Sequence, residues 1–234
     1  MNIKNKFLQL YIENFVEQSK SSSNIGLWHG KMGAAIYLLH LSRITQNEEY
    51  TKESLKLIDA VYNQVSLNLP YTFDNGLLGI GCGFEYIINN GFVDTDSNEI
   101  LSELDFWVMN LIDSRTINNL NLDKGICGIG YYLYCRLKKR MNDNDTIIIL
   151  KLKEYLIYML DWLEDMILKT TDQQNYNDSY FLLTRLYNLD VLNSKIEKLI
   201  SICLHKLVDS YCPITDNYEL LGIPSLKIFV RKLI

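Results

Sequence analysis

Three short segments of the chain place groups capable of chemistry just ahead of a glycine: Trp28-His29 before Gly30, Asp74-Asn75 before Gly76, and Asp123-Lys124 before Gly125. A looser fourth member is Asn217-Tyr218 before Glu219. His29, Asp74 and Asp123 are the candidate catalytic residues. An imidazole is a general base near neutral pH. Two carboxyls are the acid and base of glycoside hydrolysis when they sit roughly 5 to 10 Å apart across a cleft. Trp28, Asn75, Lys124 and Tyr218 are the candidate cavity-lining residues beside them. Asp74 and Asp123 also have the type and position of simple N-terminal caps, whose side chains satisfy first-turn N–H groups and suit the positive end of the helix dipole.

What would gather these residues is a repeat. Gly30-Lys31-Met32-Gly33-Ala34-Ala35, Gly76-Leu77-Leu78-Gly79-Ile80-Gly81 and Gly125-Ile126-Cys127-Gly128-Ile129-Gly130 share the pattern G-x-x-G-[AI]-[AG], with first glycines 46 and then 49 residues apart. Each copy opens an apolar, aromatic-containing helix. Two degenerate copies follow, Asn177-Asp178-Ser179-Tyr180-Phe181-Leu182 and Glu219-Leu220-Leu221-Gly222-Ile223-Pro224.

Between the copies lie segments with apolar residues on one face at a period near 3.6. Leu55, Ile58, Tyr62, Val65 and Leu69 form one such stripe; Ile100, Leu104, Trp107, Val108 and Leu111 a second. Residues 146–168 carry Ile149, Leu152, Leu156, Met159, Leu163 and Met166, and residues 192–211 carry Leu192, Ile196, Leu199, Cys203 and Leu207. One-sided helices belong to an outer layer, so the expected order is outer then inner, five times, beginning with residues 3–19. Asp96 with Glu99 has the form of a capping box, Gly91 follows a helix, and Pro70 and Pro213 come just after outer helices. The expected fold is all-α: an α/α toroid, an incomplete or small ring of about five outer/inner helix pairs, in one domain spanning 1–234. Glycine in a helix costs about 1 kcal/mol relative to alanine, so its recurrence needs a compensating reason. Close approach of inner helices around an axis is the expected one.

Composition narrows the partners. With 48% apolar side chains in 234 residues the chain can bury an ordinary core. Its net charge is −5 and no sign is gathered into a block, so nucleic acid is not an expected partner. The longest aliphatic run, Ile147–Leu150, is far short of the roughly 20 residues that cross a bilayer, so no membrane span is expected. The segment from Phe7 to Val16 is interrupted by Gln9, Glu13 and Asn14 and reads as an amphipathic helix rather than a secretory signal. Cys82, Cys127, Cys135, Cys203 and Cys212 are odd in number and show no C-x-x-C spacing, which fits reduced core thiols and a cytoplasmic location.

The chain resembles the lanthionine synthetase C-like family. The resemblance rests on Gly26-Leu27-Trp28-His29-Gly30-Lys31-Met32-Gly33, Gly76-Leu77-Leu78-Gly79-Ile80-Gly81 and Gly125-Ile126-Cys127-Gly128-Ile129-Gly130, and is carried mainly by residues 25–140. It implies an α/α toroid with glycine-headed inner helices. In catalytic members it also implies a central zinc, held by one Cys and by the Cys-His pair of a C-H-G segment. That zinc activates a peptide cysteine thiol, which adds to a dehydrated Ser or Thr and closes a thioether ring. Such chemistry needs three fixed ligands and an open fourth position.

This sequence departs from that pattern. It has no Cys-His dipeptide, its only histidines are His29, His40 and His205, and Trp28 stands where the ligating cysteine would precede His29. Cys82 and Cys127 lie past the first glycines of their motifs and read as packed thiols. His40, on the inner helix begun at Gly30, and His205, on an outer helix, read as core or surface residues. No cofactor is therefore expected: zinc is what the family implies, but its ligands are not recognised here.

The expected function is a peptide-binding or accessory protein in the modification of a ribosomally made peptide. Its concave surface would draw on Trp28, Tyr37, Tyr86, Tyr131, Tyr132 and Tyr218, with Tyr37 and Tyr132 also readable as inner-layer core. Two alternatives are a zinc-dependent peptide thioether cyclase whose ligands come from elsewhere, and a glycosidase-like enzyme using Asp74 and Asp123. The expected partner is a peptide or protein, with a second copy covering the edges if the ring is open.

Overall fold

The computed structural model describes residues 3–141 and 147–209. Tyr218, Cys212, Pro213 and the fifth glycine motif lie outside them. The described elements are α1 (Ile3–Ser21), α2 (Lys31–Thr45), α3 (Glu48–Gln64), α4 (Leu77–Asn89), α5 (Ser97–Ser114), α6 (Ile126–Leu137), α7 (Ile147–Lys169), α8 (Gln173–Leu186), extended by a 3₁₀ turn at Tyr187–Leu189, and α9 (Asn193–Asp209). No strand occurs among the described residues. The odd-numbered helices are outer and the even-numbered ones inner, as the alternation of motif and stripe predicts. Four complete pairs and the outer helix of a fifth are described. The inner helices pack in chain order, α2 on α4, α4 on α6 and α6 on α8, whereas α2 and α8 share no packed interface. The four described inner helices thus follow one another in an arc, as in an α/α toroid.

Burial separates the two layers. In α7 the buried residues Ile149, Leu152, Leu156, Met159 and Leu163 follow one face, while α4 is buried continuously from Leu77 to Ile87. A helix apolar on all sides has to be enclosed, and one with a single apolar stripe covers it. The α3 stripe differs from the expected one. Ser54, Leu57, Ile58 and Val61 face inward, Leu55 and Tyr62 are exposed, and Val65 and Leu69 follow the end of the helix. Leu192, expected to open the last stripe, precedes α9 at φ 53° and is exposed. The fourth motif also differs: α8 begins at Gln173 behind the cap Asp172, whose side chain accepts from Gln174 N–H, so Asn177 lies within the helix.

The first glycines of the three clear motifs, Gly30, Gly76 and Gly125, are the N-caps of α2, α4 and α6. Their backbones are extended rather than left-handed, so space, not φ, requires glycine. A Cβ on Gly30 would lie 2.7 Å from Asn24 O, one on Gly76 2.1 Å from Pro70 O, and one on Gly125 2.3 Å from Asn119 O. Each of these carbonyls belongs to the loop that leads into the helix, and each accepts a first-turn N–H: Lys31 N to Asn24 O at 2.9 Å, Leu77 N to Pro70 O at 2.9 Å, Ile126 N to Asn119 O at 2.8 Å. Met32, Leu78 and Cys127 bond in the same way to Ile25, Tyr71 and Leu120. The loop therefore folds back over its own helix start and satisfies N–H groups that would otherwise lack partners. This corrects the expectation that Asp74 and Asp123 cap α4 and α6: the caps are glycines with no side-chain bond. Close approach between inner helices comes from later glycines. A Cβ on Gly81 would meet Tyr132 of α6 at 2.7 Å, and one on Gly130 would meet Leu182 of α8 at 2.6 Å.

A buried charge network joins α4, α5 and α6. Arg136 has no exposed surface; its Nη1 is 2.6 Å from Glu85 Oε2 and its Nη2 2.7 Å from Asp105 Oδ2. It also donates to Ser97 Oγ and Asn98 Oδ1, while Tyr132 donates to Asp105 Oδ1 at 2.6 Å. Every face of the guanidinium is bonded, the condition under which a buried charge is tolerated.

Candidate functional site

The loops ahead of the inner helices are linked in series by their backbones. Leu27 N and Trp28 N donate to Asp74 O at 3.1 and 2.9 Å, and Phe73 N donates to Asp123 O at 2.7 Å. In the next step the side chain of Asp178 replaces the carbonyl, accepting from Leu122 N at 2.8 Å. Asn75 clasps the first two loops, its Oδ1 accepting from Asn24 Nδ2 at 2.8 Å. The two oxygens of Asp74 accept from the backbone N–H and side-chain amide of Asn75, at 2.7 and 3.1 Å. His29 and Lys124 are exposed, Asp74 and Asp123 half-buried, and Trp28 is 1% exposed against Phe73. No described hydrogen bond or ion pair joins His29, Asp74 and Asp123 to one another. The first two N–H groups of α2, α4 and α6 are bonded to carbonyls of their own loops.

The aromatic residues expected on a concave surface divide into two groups. Trp28, Phe73 and Tyr131 form a buried run that continues to half-buried Phe181, with ring centroids 5.7, 5.2 and 5.6 Å apart in succession. Trp28, Phe73 and Tyr131 have 3% exposure or less, so the run fills the middle of the arc; Tyr132 is also buried, against Asp105. Tyr37 packs edge-on against Phe15 of α1.

Toward the C-terminal ends of the inner helices a second strip is partly open. Arg43 lies 3.5 Å above the Phe92 ring, and Phe92 meets His40 edge-on. His40 Nε2 and the Tyr86 hydroxyl share a hydrogen bond of 2.7 Å. Lys138 sits 5.9 Å from the Tyr86 ring and 5.7 Å from that of Tyr134, and Arg185 covers Phe181 at 3.7 Å. Each inner helix contributes. His40, Phe92, Tyr134, Lys138, Phe181 and Arg185 are all half-buried, so one side of each meets solvent. Burial, aided by Arg43, holds the His40 pKa below the usual histidine value, and burial pushes the Tyr86 and Tyr134 phenols up. The strip thus combines flat aromatic faces with cations, a surface that holds apolar side chains and carboxylates together. Sequence reading missed most of it. A signal existed: counted from the first glycine of their motifs, His40 and Tyr86 stand at the same offset, as do Arg43 and Lys138.

The zinc implied by the resemblance does not fit the described donors. Cys82, Cys127, Cys135 and Cys203 are buried thiols. Burial pushes Cys82 and Cys127 well up and Cys203 up to about 11. Cys127 Sγ faces Ser179 Oγ at 3.7 Å, and His29 is exposed at the rim. Among the described residues no three His, Cys, Asp or Glu side chains are grouped as a metal would need.

Among the described residues no helix is long and apolar enough to cross a membrane. No curated protein matches the chain. The family model described as lanthionine synthetase C-like protein matches residues 21–183, from the end of α1 to the last turn of α8. That span covers more than half of the sequence and contains the three glycine-headed inner helices, and with it the chain belongs to the lanthionine synthetase C-like family.

Proposed function

We propose that the chain is a peptide-binding accessory protein in the modification of a ribosomally made peptide, holding an extended segment along the strip formed by His40, Phe92, Tyr134, Lys138, Phe181 and Arg185, with buried Tyr86 bonded to His40. The observation that carries this reading is the cation-on-aromatic arrangement that crosses from α2 to α8 at the inner-helix ends. Apolar side chains of the peptide lie on the rings, and its carboxylates meet Lys138 and Arg185. Catalysis by His29, Asp74 and Asp123 has less support. The oxygens of Asp74 are engaged by Asn75, and first-turn N–H groups that would stabilise an oxyanion are bonded to the loops.

Metal analysis joined to a binding assay tests the proposal. The purified chain is expected to hold zinc well below one atom per molecule, and to bind a fluorescein-labelled, cysteine-containing linear peptide equally well before and after EDTA. Stoichiometric zinc whose removal abolishes peptide binding would overturn it in favour of the cyclase alternative.

A further inference from the structure

On the face of α4 opposite Tyr86, the outer layer is open. Outer neighbours α5 and α7 pack on each other, but α3 and α5 share no packed interface. Between them runs a groove whose floor is the α4 stripe Leu77, Ile80, Gly81, Phe84, Ile87 and Ile88, spaced as one face of a helix. The two lobes share Tyr62, Phe84 and Ile100 and hold about 120 and about 410 Å³. From Leu77 to Ile88 the floor is about 16 Å long, about three helical turns. The floor is apolar, the walls mix apolar and acidic residues, and Tyr62, 59% exposed, stands edge-on over Phe84 at 6.4 Å.

The charges on this groove have one sign. The only charged residues lining it are Asp59, Glu99 and Glu103, all exposed, and none takes part in a described ion pair. Helix α5 contains no Lys or Arg at all, and the nearest cation on α3, Lys56, is 2.7 Å from Glu53. A second copy of this chain, with net charge −5, is repelled at long range by such a rim. We infer that the groove between α3 and α5 receives an amphipathic, basic helix of about three turns from a partner protein. Its apolar residues, three and four apart, enter between Tyr62 and Ile100, and its Lys or Arg residues face Asp59, Glu99 and Glu103. This surface is on the far side of α4 from the peptide strip, so a partner there leaves the strip accessible.

The probe is a synthetic 14-residue Leu/Lys amphipathic helix labelled with fluorescein, with a Leu/Glu twin and a proline-interrupted version as comparators. Anisotropy at low salt is expected to show binding of the basic helix, at least tenfold weaker binding of both comparators, and a tenfold loss in Glu99→Lys/Glu103→Lys. Glu13→Lys/Glu154→Lys, the same charge change elsewhere on the surface, is expected to bind as the unmodified chain does. No binding of the basic helix, equal binding of its comparators, or equal loss in both double variants would overturn the inference. Circular dichroism confirms that each variant, altered only at exposed positions, keeps its fold.

Discussion

Arg136 and Asp105 face each other between α6 and α5 with no exposed surface on either side chain, Nη2 2.7 Å from Oδ2 and Nε 3.0 Å from Oδ1. Glu85 completes the charge on the α4 side. Three helices are thereby held at one guanidinium, so the arc between the second and third pairs depends on polar contacts as well as on its apolar core.

Removing Asp105 leaves Glu85 to offset the charge of Arg136 but strips the buried Arg136 Nε and Tyr132 hydroxyl of their acceptor. Asp105→Ala is expected to destabilise the chain by about 3 to 5 kcal/mol. An Asp105→Leu/Arg136→Met pair is expected to cost less than the two single changes summed. Urea unfolding followed by circular dichroism measures both, and additivity of the single changes would contradict the role given to the pair.

The glycines differ in what they resist. Gly76→Ala places a methyl 2.1 Å from Pro70 O and is expected to cost about 3 kcal/mol, because the obstacle is backbone that also holds Leu77 N. Gly91, at φ 63° with nothing within 4 Å, is expected to lose only about 1 kcal/mol on change to alanine. Equal losses at the two positions would contradict the loop-over-helix account.

Stability should fall on mild acidification through His40. A base whose folded pKa lies below the ordinary histidine value contributes stability that is present above that value and lost as pH falls through the folded one. Unfolding midpoints at pH 7.5 and 5.5 are expected to separate more in the unmodified chain than in His40→Asn. Identical separation in the two would show that His40 is not the titrating group.

The four described cysteines should resist alkylation. Iodoacetamide at pH 8 is expected to leave Cys82, Cys127, Cys135 and Cys203 unmodified in the native chain and to label them in urea, as read by peptide mass spectrometry. Native labelling of Cys127 would contradict its placement against Ser179.

The sequence made some of this legible and hid the rest for physical reasons. Gly30, Gly76 and Gly125 mark helix starts because no other residue fits under a loop carbonyl, and their spacing reveals the arc. What they resist was less visible, since the obstacles are backbone carbonyls, of Asn24, Pro70 and Asn119, which every residue carries. In α3, Tyr62 matches the same 3.6-residue period as Ile58, yet it stands at the lip of a groove that exists only because α3 and α5 stay apart. Tyr131 and Tyr132 are adjacent, but one joins the central aromatic run and the other meets Asp105 on the outer side. The partners of Arg136 are drawn from 31 to 51 residues away, beyond any local pattern.

The peptide strip is tested most directly by mapping where a peptide lies. A linear, cysteine-containing peptide carrying a photo-crosslinking benzophenone is expected to join residues near Tyr134, Lys138, Phe181 and Arg185. Arg185→Ala is expected to weaken its binding about fivefold, in line with the loss of a partly buried cation–π contact. Crosslinks gathered instead around His29 and Asp123, with Arg185→Ala binding unchanged, would contradict the account and return the site to the helix-start rim.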